Sequence, residues 1–102
     1  FAAALAAARQ GAKVALVERY GSLGGLFTNG MVLIVLATGR REENGSWTLV
    51  TRGICEEFMN RSLALGAGVT TARPSDRHHW EPTIDPEGAK FLMDEMIAEA
   101  GV

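Results

Sequence analysis

Cysteine is nearly absent: Cys55 is the only one, so no disulfide can form within the chain, which fits a reducing cytoplasm. Without a C-x-x-C partner, and beside Phe58 on a predicted helix, Cys55 reads as a buried structural thiol rather than a redox centre. Histidine is confined to His78-His79. Adjacent residues on a strand point to opposite faces, and no acid or cysteine stands at a metal-ligand spacing, so we read both as solvated or structural and expect no metal. Clustered positive charge is lacking too. Ten Lys and Arg are scattered among twelve Asp and Glu, for a formal net charge of −2. The densest basic site, Arg40-Arg41, is answered at once by Glu42-Glu43, which suits a solvated loop and gives no footing for nucleic acid. No apolar run is long. Met31 to Ala37 falls far short of the roughly 20 residues of a membrane helix. The Ala-rich opening lacks a basic region and leads straight into a predicted strand, which argues against a signal peptide. At 102 residues and 47% hydrophobic, the chain suits one small folded domain rather than a disordered segment.

The informative stretch runs from Ala12 to Gly25. Val14, Leu16 and Val17, with Ala12 and Ala15, make a short apolar run of the kind covered on both faces in a parallel sheet. Glu18 follows at its carboxyl end, where open α/β sheets place their ligands. A carboxylate there can accept hydrogen bonds from both hydroxyls of a ribose. Upstream, Phe1 to Gln10 is Ala-rich and strongly helix-forming, and Gly11 is placed to end that helix in a left-handed conformation. Helix, glycine, strand and acid make the second half of a dinucleotide-binding βαβ unit. The first half, with its G-x-G-x-x-G loop roughly 20 residues before the acid, is missing. The chain opens on Phe1, and we expect a fragment cut inside or just before the first helix.

After Glu18 the chain runs Arg19, Tyr20, then Gly21-Ser22-Leu23-Gly24-Gly25-Leu26-Phe27-Thr28-Asn29-Gly30. Four glycines in ten positions exclude a regular helix or strand here. The glycine pair would let backbone approach a ligand with no Cβ between them.

These residues, "AAALAAARQGAKVALVERYGSLGG" and then "TNG" at Thr28 to Gly30, resemble the start of FAD-dependent oxidoreductases of the glutathione-reductase-like superfamily. "TRGICEEFMNRSLALGAG" and "DPEGAKFLMDEMIAEAGV" are similar to later helices of that group, so the resemblance spans nearly the whole chain in order. It implies a partial Rossmann-type FAD-binding domain of α/β class over residues 1–102: helix, parallel strand, glycine loop, inserted segment and two further helices. Residues 26–84 would be the insertion or substrate-side segment. The resemblance implies FAD as cofactor, with Glu18 on the adenosine ribose and Arg19 along the adenosine end. Gly24, Gly25 and Thr28 would line the diphosphate and ribityl region. The first helix would aim its N-terminus at the pyrophosphate. The small-molecule substrate, the catalytic residues and the oligomeric state stay open.

Further along, Met31 to Ala37 reads as a strand with Trp47 to Thr51 as partner, and Asn44-Gly45 is a type I′ turn signal. Arg52 to Leu65 reads as a helix capped by Thr51, with Ile54, Cys55, Phe58, Met59, Ser62 and Leu65 near one face. Gly66-Ala67-Gly68 would stop it, and Arg73-Pro74-Ser75-Asp76 suggests a turn. Asp85-Pro86-Glu87 is a strong helix start, and Ala89, Leu92, Met93, Met96 and Ala100 form an apolar stripe. Lys90 and Asp94 stand one turn apart as an expected ion pair. Gly101 would end this helix, and Val102 would open a further parallel strand. In a sheet ordered 3-2-1-4-5 the run Val14 to Val17 would lack both neighbours, so the isolated fragment is expected to be marginally folded and to bind FAD weakly at best. Two other readings stand beside the flavoprotein one: an NAD-dependent dehydrogenase segment with Glu18 on the ribose, and a non-catalytic α/β module or remnant.

Overall fold

A computed structural model describes residues 1–35, 39–65 and 83–102. Among these residues, three helices, α1 (Ala2–Arg9), α2 (Ile54–Ala64) and α3 (Pro86–Glu99), pack together, and β1 (Gly39–Arg41) and β2 (Trp47–Leu49) form one antiparallel hairpin. The expected turn at Arg73 to Asp76, the glycines from Gly66 to Gly68 and the pair His78-His79 lie outside the described residues.

The helix ends follow from local chemistry. At the end of α1, the Gly11 N–H donates to Ala8 O and the Ala12 N–H to Ala7 O, with Gly11 at φ 86°. This is a Schellman closure. The same closure ends α3, where Gly101 donates to Ala98 O and Val102 to Ile97 O, with Gly101 at φ 75°. At the start of α3 the Asp85 carboxylate accepts the Gly88 N–H at 2.6 Å, and Pro86 occupies the first helical position, as the sequence predicts.

Burial follows the predicted stripes in part: Ala100 is only partly buried, and Leu65, expected on the inner face of α2, is exposed because the helix ends at Ala64 and Leu65 is its C-cap. Leu5 of α1, Phe58 of α2 and Ala89, Leu92, Met93 and Met96 of α3 form the core with Ile84. Phe1 meets Phe58 edge-on, with ring centroids 6.4 Å apart. Ser62, fully buried on the inner face of α2, is satisfied by donating its hydroxyl to Phe58 O at 2.7 Å. Cys55 is half-buried, and burial pushes its thiol up.

Several expectations are corrected. The parallel strand over Val14 to Val17 is not formed. Val17 is 91% exposed, and residues 13 to 19 make no backbone–backbone hydrogen bond among the described residues. Apolar character selects a buried strand only where a neighbouring strand supplies the ladder, and none of the described residues does so. Of the strand expected over Met31 to Ala37, residues 31–35 do not form one, and residues 36 and 37 lie outside the described residues. Ile34 makes one isolated antiparallel bridge to Thr83, the Ile84 N–H donates to Leu33 O at 2.8 Å, and Met31 sits at φ 55°, outside strand geometry. The partner of β2 is therefore Gly39–Arg41, in the register Arg40 opposite Thr48. The turn is not type I′, because Gly45 has positive φ and Asn44 does not. Instead the Gly45 N–H donates to Glu42 O and the Glu42 N–H to Ser46 O, a three-residue connection with glycine in the left-handed position. The Asn44 side chain accepts the Ser46 N–H. Helix α2 begins after Gly53 rather than after Thr51, because Gly53 at φ 71° breaks the helical path. Lys90 pairs with Glu87 at 2.6 Å instead of Asp94, which places the acid on the N-terminal side, the more favourable order.

An ion network ties the three helices. Arg9 of α1 makes a two-pronged contact with Glu57 of α2, and Arg61 of α2 makes another with Glu99 of α3, at 2.6 and 2.8 Å. Arg61 also reaches Glu95 at 3.1 Å and Glu57 at 3.7 Å. Hydrogen bonding to Arg9 holds the Glu57 carboxyl below the usual glutamate range, and hydrogen bonding to Arg61 does the same for Glu99. Depressed carboxyl values mean that this contribution to stability is fully present above the unfolded-state value. It is lost as the pH falls through the folded-state values. Below pH about 4.3, the ordinary glutamate value, helix packing is therefore expected to weaken progressively. Denaturation midpoints measured against pH should fall less steeply in Arg61→Leu than in the parent protein, since the variant has already lost the coupling to Glu99 and Glu95.

Candidate functional site

The glycine loop is a compact, self-bonded turn hung on the core by two apolar residues. Leu23 and Phe27 are partly buried against the α1–α2–α3 cluster. The Phe27 N–H donates to Gly24 O, the Asn29 and Gly30 N–H groups to Gly25 O, and the Val32 N–H to Leu26 O. Thr28 is 4% exposed, and its hydroxyl donates to Leu23 O at 2.6 Å. Gly24 lies directly against it: a Cβ at Gly24 would stand 2.4 Å from Thr28 Cγ2 and 2.7 Å from Thr28 Oγ1. Gly24 also sits at φ 111°, a conformation that L-residues rarely adopt. Gly25, at φ 49°, is exposed, and a Cβ there would meet nothing within 4 Å. Among the described residues, the N–H groups of Gly25, Leu26 and Thr28 donate to no backbone carbonyl.

Glu18 and Arg19 precede this loop and are exposed. One Glu18 carboxylate oxygen accepts the Tyr20 N–H at 3.0 Å, which folds the side chain back over the bend at Arg19-Tyr20. The Arg19 guanidinium stands 5.7 Å from the centroid of the Tyr20 ring, a cation–π contact at the surface. Of the five residues singled out from the sequence, the structure thus brings Gly24 and Thr28 into contact and puts Gly25 on the outer side of the same turn. Glu18 and Arg19 make their described side-chain contacts locally, with Tyr20.

Two residues of this turn were not singled out as site residues by sequence reasoning. Asn29 donates its side-chain amide to Ser22 O and to Thr28 Oγ1, both at 3.2 Å, and Ser22 Oγ lies 3.4 Å from Asn29 Oδ1. The available signal was the residue type, since asparagine side chains readily bond to nearby backbone in turns. No three His, Cys, Asp or Glu side chains among the described residues come together as a metal site, and none of their helices is long and apolar enough to cross a membrane.

A profile of FAD dependent oxidoreductases matches residues 1–102. The chain therefore belongs to the FAD-dependent oxidoreductase family, whose cofactor is FAD. Searches of curated proteins and of solved structures return no match. The residues at hand suit such a cofactor chemically. Glu18 keeps a second carboxylate oxygen with no described partner, an acceptor suited to a sugar hydroxyl. The exposed turn at Gly25-Leu26 offers N–H groups suited to phosphate oxygens, and Gly25 carries no side chain on that open side.

Proposed function

We propose that this chain is the FAD-binding segment of an FAD-dependent oxidoreductase, a partial Rossmann-type domain that holds the adenosine-ribose and diphosphate side of the cofactor. Glu18 accepts the adenosine ribose hydroxyls, and Arg19 lies along the adenosine end. Gly24, Gly25 and Thr28 shape the turn that receives the diphosphate and ribityl chain, and the N-terminus of α1 faces the pyrophosphate. When bound, FAD supplies the redox chemistry by accepting a hydride or electrons from a small-molecule substrate. The chain's own residues bind and orient it.

The observation that carries this reading is the pairing of an exposed acid, Glu18, with a preformed glycine turn whose outer N–H groups are uncommitted. Family membership does not favour the nicotinamide or the non-catalytic reading. The test is the visible spectrum of the intact protein that carries this chain, as purified, beside that of Glu18→Ala. We expect flavin bands in the first and a flavin content reduced about tenfold or more in the second, as befits the loss of hydrogen bonds to a charged acceptor. A parent protein that stays colourless after FAD is added would remove the flavoprotein reading.

A further inference from the structure

We infer that Asn29 is a positioning residue that locks the glycine turn in its cofactor-receiving shape before the cofactor arrives. The inference rests on the reading that Gly24, Gly25 and Thr28 receive FAD.

Asn29 stands where the two arms of the turn meet. Its backbone N–H donates to Gly25 O at 2.9 Å, on the bend itself. Its side-chain amide donates to Ser22 O on the incoming arm and to Thr28 Oγ1 on the outgoing arm. Ser22 O can only accept, so the group facing it must be the NH₂, and this fixes the amide orientation. Thr28 Oγ1 accepts from Asn29 and passes its own hydrogen to Leu23 O, so the chain Asn29–Thr28–Leu23 runs in one direction with each donor satisfied. Leu23 is in turn packed on the core. The relay therefore connects the surface amide of Asn29 to the fixed interior.

The consequence concerns shape rather than contact. Gly24 and Gly25 together make the turn intrinsically loose, because glycine loses more backbone freedom on ordering than any other residue. Something must supply that ordering. Where the ordering is already made in the free protein, the cofactor does not have to supply it from its own binding. Three side-chain hydrogen bonds around Asn29 and Thr28, together with the close contact of Gly24 on Thr28, supply it here.

The test compares Asn29→Ala, Thr28→Val and Gly25→Ala in the intact protein stripped of flavin. It reads FAD affinity by fluorescence quenching and amide hydrogen exchange of residues 22–30 without FAD. Thr28→Val keeps the shape of the buried side chain but loses both the hydrogen bond it donates to Leu23 O and the one it accepts from Asn29, so it breaks the relay if Asn29→Ala does not fold. Asn29→Ala is expected to weaken FAD binding about tenfold and to speed exchange in the cofactor-free turn by a similar factor. Thr28→Val should shift both readouts in the same direction, and Thr28→Ser, which keeps the hydroxyl, should shift them less. Gly25→Ala separates the two ideas, since its Cβ would project from the outer side of the turn. If Gly25→Ala weakens FAD while Asn29→Ala leaves affinity and exchange unchanged, the lock is wrong and the site reading stands. If Gly25→Ala is also without effect on FAD, the site reading falls with it. Weakened affinity in Asn29→Ala with unchanged exchange in the free protein would make Asn29 a direct FAD contact and overturn the positioning role.

Discussion

Leu92→Ala is expected to destabilise the protein by about 2–5 kcal/mol, the range for deleting a buried leucine side chain. Leu92 is 1% exposed and belongs to the cluster formed by Leu5, Phe58, Ile84, Ala89, Met93 and Met96. Two costs combine. Apolar surface returns to water on unfolding to a smaller extent, and the neighbours close only part of the space that is left. Met93 and Met96 are flexible enough to fill part of it, which argues for the lower half of the range. The neighbouring Phe91 is the control. It has a larger side chain but is 62% exposed, so Phe91→Ala should change stability by no more than about 0.5 kcal/mol. Urea unfolding of the intact protein checks both: the midpoint should drop for Leu92→Ala with little change in slope, and barely move for Phe91→Ala. Equal effects would mean that α3 is packed through a different face from the one described.

Gly24→Ala is expected to disrupt the glycine turn through two separate penalties. The backbone at φ 111° is strained for any residue with a Cβ, at a cost of about 1–3 kcal/mol. The Cβ would also stand 2.4 Å from Thr28 Cγ2, and relieving such an overlap in a packed place costs about another 1–3 kcal/mol. Gly25→Ala carries only the first kind of cost, about 1–2 kcal/mol for a left-handed residue, because the space around it is open. The overlap can be isolated by a double-mutant cycle with Thr28→Ala, which removes Cγ2 and Oγ1, the two atoms nearest the new Cβ. A favourable coupling of about 0.5–3 kcal/mol in the denaturation midpoints would measure the clash. Strictly additive effects would show that Thr28 and Gly24 are not in contact.

The parts of this molecule that depend on neighbours along the chain were readable, and those that depend on distant partners were not. Asp85, Pro86 and Gly101 announce both ends of α3, and Gly11 announces the end of α1, because capping is settled within a few residues. The stripe on α3 predicted its four buried residues, Ala89, Leu92, Met93 and Met96. By contrast, Val14 to Val17 has the composition of a sheet interior, yet a strand requires a ladder and composition does not create one. The hairpin was assigned the wrong partner because Gly39–Arg41 has no apolar alternation to distinguish it. Its pairing is set by the Glu42 to Ser46 connection. Within the candidate site the glycines and Thr28 stood out by type. The bond from Asn29 to Ser22 spans seven residues with no periodic signal, and only geometry reveals it.

The matched closures of α1 and α3 bear on how the chain finds its path. At each of these helix ends a hydrogen-bonded knot of five or six residues sets the heading of the departing backbone, at Ala12 and again at Val102. Neither knot draws on any contact distant in sequence. Such joints close on the timescale of the helices themselves, well before a sheet with widely separated strands can assemble. The heading of the backbone at each of these ends is therefore a local decision, taken twice in the same way and independent of any pairing distant in sequence.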